Sequence, residues 1–138
     1  MNDSYYKWGN EKLSQSNLIM SDKLRDILIR HWLFSALPGK IIVDLSSQFS
    51  SRQYKKGQYV FHQDDEAHHI FVILEGEVSI ETINLDGKVT KISHLNESEI
   101  FGELALIDRR GRSATAQVIK SAKIASLPGE IFLSLIHI

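Results

Sequence analysis

The chain has 138 residues, of which 43% are apolar, 24% charged and only two are proline, so it fits one globular domain and excludes extended intrinsic disorder. Sixteen Lys and Arg against seventeen Asp and Glu give a net charge of -1, which lacks the electrostatic footprint of a nucleic-acid binder. The absence of cysteine excludes disulfides, thiolate metal sites and thiol catalysis.

Residues 1–20 are rich in Asn, Ser and Lys without a sustained period, and read as a poorly ordered lead-in. From Ser21 the apolar spacing changes to helical. Leu24, Ile27, Leu28 and His31 share one face behind Ser21 or Asp22 as N-cap. Pro38 fits the first turn of a second short helix carrying Ile41, Ile42 and Leu45. Residues 21–48 are therefore expected to form a helical layer.

Beyond Ser51 the apolar period approaches two and β-branched and aromatic residues are enriched, so 51–127 reads as β structure. Tyr59 to His62 forms a short strand, Asp64-Asp65-Glu66 an acidic loop, and Ile70 to Leu74 a buried strand. Gly76 supplies the backbone freedom for a bend between that strand and the next. Asn84-Leu85-Asp86-Gly87 marks a hairpin. Two further strands are expected over 114–119 and 123–127. Many short strands with close turns imply a mainly β, jelly-roll-like barrel or sandwich with flanking helices. Pro128 opens a C-terminal helix over 128–138, so that 21–138 forms a single domain.

One segment interrupts the strands. Glu103 to Ile107 holds strong helix formers but is too short for an independent helix, so it reads as a single turn held by its surroundings. Its free amides, entered through Gly102, favour an anion. Arg112 adds a fork of donors and Ser113 a hydroxyl, which together describe a phosphate cradle. Glu103 would repel a phosphate but can accept from a sugar hydroxyl, and a phosphorylated ribose satisfies both demands.

Phe101-Gly102-Glu103-Leu104-Ala105 followed by Arg112-Ser113-Ala114-Thr115 resembles the phosphate-binding cassette of the cyclic nucleotide-binding domain family. Leu74-Glu75-Gly76-Glu77-Val78 and Asp86-Gly87 resemble the glycine pattern of the same β-roll, and the likeness extends over roughly residues 33–135. The resemblance is to the sensory domain of bacterial regulators of the cyclic-AMP receptor and fumarate-nitrate regulator type. It implies that Glu103 holds the ribose 2′-hydroxyl and that Arg112 and Ser113 hold the cyclic phosphate. Backbone groups of Gly102, Leu104 and Ala105 then line the cradle, while Ile80 and Ile92 wall the base. The ligand implied is a cyclic nucleotide, with cyclic AMP favoured over cyclic GMP because Ser113 is of the cyclic-AMP-selective type. No metal or other cofactor is expected, and the expected role is regulatory binding rather than catalysis.

A homodimer is compatible with the resemblance. DNA binding by this chain alone is not expected, because a reading module needs further helices. No segment is long and apolar enough for a membrane helix, and a soluble cytoplasmic protein is the default. Two other readings stand beside this one. His62, His68 and His69 with Glu75 suggest a cupin-like, metal-dependent enzyme, although adjacent strand residues point to opposite faces and His68 and His69 cannot both face inward. The roll could also be a scaffold that no longer binds a ligand.

Overall fold

The computed structural model describes residues 5–8 and 11–136, with side chains characterised over 20–135. Residues 1–48 and 49–138 form two compact units.

In the first unit, β1 (Tyr5–Trp8) and β2 (Glu11–Ser14) pair antiparallel, with Tyr5 opposite Ser14. They precede α1 (Gln15–Arg30) and α2 (Gly39–Ser46). The lead-in expected over 1–20 lies partly outside the described residues, and the start of α1 falls within it. Helix α1 begins six residues before Ser21, so neither Ser21 nor Asp22 is its cap; Leu18 and Met20 are good helix formers that extend the pattern backwards. Leu24, Ile27 and Leu28 are buried as their spacing requires, whereas His31 lies just past the helix end. Pro38 is the N-cap of α2, and its carbonyl accepts from the Ile41 and Ile42 amides at 2.9 and 3.2 Å.

The second unit is mainly β. Strands β3 (Ser50–Tyr54), β4 (Tyr59–Phe61), β5 (His69–Ile83), β6 (Val89–Leu95), β7 (Ile100–Phe101) and β8 (Thr115–Pro128) form one antiparallel sheet in the order β3-β8-β5-β6. Strand β4 pairs with β8 and β7 with β5 outside that path. The one-turn helix α3 (Glu103–Asp108) sits between β7 and β8, and α4 (Gly129–Ile136) follows β8.

Two expected breaks are absent. Residues 70–74 and the strand after Gly76 are a single element, β5, and 114–119 and 123–127 likewise merge into β8. The two long strands pair along their length, with register irregularities at Ile73/Glu75, Glu75/Glu77 and Glu77/Val78 absorbing the change of direction. Gly76 is the pivot: its φ is +96°, and a Cβ there would lie 2.4 Å from the Ser121 carbonyl oxygen. A side chain at that position would force the strands apart.

The core of this unit combines Tyr54, Phe71, Ile73, Val78, Phe101, Ala116, Val118, Ala122 and Ile124, with Phe61, Ile80 and Leu95 packed at its edge. The hairpin between β5 and β6 turns at Asn84 to Lys88, with Gly87 at φ +82° donating to the Asn84 carbonyl. Helix α3 packs against α4, where Gly129 donates to the His68 carbonyl at 2.7 Å.

Candidate functional site

Gly102 ends β7 and caps α3 in the left-handed region, with φ +85° and ψ 4°. A residue with a Cβ would be strained in this conformation. The turn also brings the Gly102 carbonyl against Arg112, ten residues later. Between them Arg109 closes α3 in a left-handed C-cap, and Arg110 and Gly111 carry the chain back to the sheet.

The backbone at Arg112 is clamped from both sides. Its amide donates to the Asp65 carbonyl at 2.8 Å, and its carbonyl accepts from the Asp64 amide at 2.7 Å. A Cβ at Gly111 would lie 3.0 Å from the Asp64 carbonyl oxygen, so the acidic loop and the arginine loop run in close contact. Thr115 ties the same loop to β8, its Oγ1 accepting from the Gln63 amide at 2.8 Å.

The Arg112 side chain is only 3% exposed. Nη1 donates to the Gly102 carbonyl at 2.6 Å and Nη2 to the His69 carbonyl at 2.7 Å. Nε is buried without a hydrogen-bond partner. The guanidinium lies 4.2 Å from the centroid of the Phe61 ring and 5.6 Å from that of Phe71. Its hydrogen-bond partners are thus neutral carbonyls, and its carbon lies over aromatic rings. Burial lowers its pKa, which Asp65 and Glu103 partly restore by their charge. An arginine keeps its proton at neutral pH even so, and a buried cation with an unused N–H has the chemistry to take an anion.

Beside the guanidinium is a cavity of about 340 Å³. Gly102, Glu103, Leu104, Ala105, Arg112 and Ser113 line it together with Ile80 and Ile92. The structure therefore brings all eight expected site residues to one cavity. Glu103 and Ala105 are half-buried, whereas Leu104 and Ser113 are exposed at its rim.

Phe61, Ser93, Leu95, Ile100, Phe101 and Ala114 also line the cavity and were not expected from the sequence. Ser93 reaches it through a β-bulge. Ile80 pairs with Ser93 and Glu81 with Lys91, so Ile92 is an extra residue that breaks the alternation and lets two consecutive side chains line one wall. Simple period-two counting excludes such a pair. Arg109 and Arg110 instead line a separate cavity of about 550 Å³ with Asp64 and Glu66.

The residues of the metal reading do not converge. His62 lies 3.9 Å from Asp65 and His68 3.8 Å from Glu66, all with exposed side chains. Glu75 is exposed on β5. Among the described residues no three His, Cys, Asp or Glu side chains group as a metal site. Burial holds the His69 imidazole below its ordinary pKa, reinforced by the charges of His68 and Arg112. Among the described residues no helix is long and apolar enough to cross a membrane.

Comparison with known proteins gives a consistent result. The family described as the cyclic nucleotide-binding domain matches residues 51–138. The cyclic AMP receptor protein of Thermus thermophilus is 33% identical over 96 residues, covering 69% of this chain and 44% of that protein. Lysophospholipase nte1 of Aspergillus oryzae is 30% identical over 103 residues, covering 75% of this chain and 7% of that protein. The chain thus spans less than half the length of these relatives. Among solved structures, cyclic-AMP-bound PfPKA-R (141–441) superposes with a TM-score of 0.82 at 26% identity, covering 91% of this chain and 44% of that one.

Proposed function

Because the chain belongs to the cyclic nucleotide-binding domain family, we propose that the cavity beside α3 is its nucleotide site, with cyclic AMP the preferred ligand. The observation that carries this reading is the buried Arg112, a lining residue of the cavity, whose guanidinium has neutral carbonyl partners and an unpartnered Nε. A cyclic phosphate entering there meets the guanidinium, the Ser113 hydroxyl and the first amides of α3. The half-buried Glu103 then faces the sugar and accepts from its 2′-hydroxyl. Ile80 and Ile92 offer the base an apolar wall. These assignments give the cyclic phosphate and the 2′-hydroxyl partners of matching chemistry.

The bound anion also removes a cost already present in the fold. A desolvated cation held only by neutral carbonyls is poorly compensated, and a phosphate supplies the missing charge. Binding therefore needs no covalent step, and the role we assign is regulatory rather than catalytic. The preference for cyclic AMP is supported by Ser113 and by the receptor protein and the ligand-bound structure described above. The similarity to the Thermus protein further supports a place as the sensing module of a Crp/Fnr-like regulator. The lysophospholipase likeness covers too little of that enzyme to argue for its activity here.

Thermal unfolding with cyclic AMP, cyclic GMP or neither tests the reading. At a concentration of about a hundred times the dissociation constant, the ligand stabilises the fold by about 2.7 kcal/mol, a rise of several degrees in Tm. The larger rise is expected with cyclic AMP. An unchanged Tm with both nucleotides at millimolar concentration would favour the scaffold without a ligand.

A further inference from the structure

We propose that Phe61 is the positioning residue of the anion site: its ring is the platform that holds the Arg112 guanidinium with its edge turned to the ligand. This rests on the reading of Arg112 as the group that takes the phosphate.

The ring's placement owes nothing to the arginine. Phe61 ends β4 opposite Ala116 of β8, and its ring packs 5.7 Å from that of Phe71 and 6.0 Å from that of Phe101. Phe71 and Phe101 themselves stack at 5.3 Å. The three rings, from three strands, thus form one aromatic cluster, in which Phe61 lies nearer the guanidinium than Phe71 does.

A guanidinium has two kinds of surface. Its faces are weakly hydrated and stack on aromatic rings, while its edge carries all five N–H donors. The guanidinium carbon lies over the Phe61 ring, 4.2 Å from its centroid, a contact that uses none of the N–H donors. The edge already spends one N–H of each terminal nitrogen on the Gly102 and His69 carbonyls, and Nε has no partner. Without the ring, the two carbonyls alone would hold the long side chain, and any freedom it gains must be given up when ligand arrives, which weakens binding. An aliphatic residue of similar size could fill the core edge but would offer no π face to the cation.

The test is calorimetric titration of cyclic AMP into the parent and the variants Phe61→Leu, Phe61→Tyr and Arg112→Ala. Phe61→Leu is expected to weaken binding by roughly three- to thirty-fold, and Phe61→Tyr, which keeps the ring, to remain within about twofold of the parent. Urea unfolding establishes that each variant is folded at the assay temperature, and Phe61→Met replaces the leucine variant, with the same expected loss, if that one is not. Equal loss in the tyrosine and leucine variants would reduce Phe61 to a packing role and overturn the proposal. If Phe61→Leu binds like the parent while Arg112→Ala does not, the platform is refuted and the site reading stands. If Arg112→Ala also binds like the parent, both fall.

Discussion

A Cβ placed on Gly102 would lie 2.9 Å from Nη1 of Arg112, the nitrogen that donates to the Gly102 carbonyl. The glycine thus serves the site twice, by adopting a left-handed turn and by leaving room for the guanidinium beside it. Gly102→Ala is expected to destabilise the fold by about 1–2 kcal/mol from the positive φ alone. It should also weaken cyclic nucleotide binding, because the guanidinium must move. Denaturant unfolding and titration of the alanine variant check both effects; parent-like values in the two would refute this account of the turn.

Glu103 occupies the first turn of α3 at the cavity wall, where its assigned partner is the ribose 2′-hydroxyl. Loss of that hydrogen bond in Glu103→Ala corresponds to about 1–1.5 kcal/mol, or roughly five- to twelvefold in affinity. The 2′-deoxy analogue should bind parent and variant alike. Competition binding with the ribo and deoxy ligands separates the effects, and an equal loss for both would remove Glu103 from the ribose.

The depressed pKa of His69 carries a pH signature. In the unfolded chain the imidazole titrates near 6.5, whereas burial, His68 and Arg112 disfavour its protonation in the fold. Above that value both states are neutral and the group costs nothing. Below it the unfolded chain takes up the proton first, so stability falls with acidification until the folded group also titrates. Tm should therefore fall as the pH drops through about 6.5, and His69→Gln should flatten that fall. An identical slope in parent and variant would show that His69 contributes nothing to it.

Much of this site was legible in the sequence because it is local. Gly102, Glu103, Arg112 and Ser113 lie within twelve positions, and their donors and acceptors match the demands of a sugar phosphate before any tertiary contact is known. Asp86-Gly87 and the apolar run Ile70 to Leu74 were similarly plain. What escaped depends on pairing between distant segments. Gly76 looks like a strand break until Ser121 and Ala122 are placed against it, whereupon it becomes a pivot within one strand. Ser93 is hidden by the bulge at Ile92, and Phe61 by the fact that nothing local says which ring an arginine fifty-one positions later will stack upon. The early start of α1 was missed because Gln15, Ser16 and Asn17 carry little apolar signal.

The central claim is that Arg112 holds the phosphate of a cyclic nucleotide, and equilibrium titration of cyclic AMP into the parent and Arg112→Ala tests it most directly. Removing the guanidinium should cost about 1.5–3 kcal/mol of charge-assisted hydrogen bonding, a loss of roughly ten- to two-hundredfold in affinity. Undiminished binding by the folded Arg112→Ala variant would contradict it.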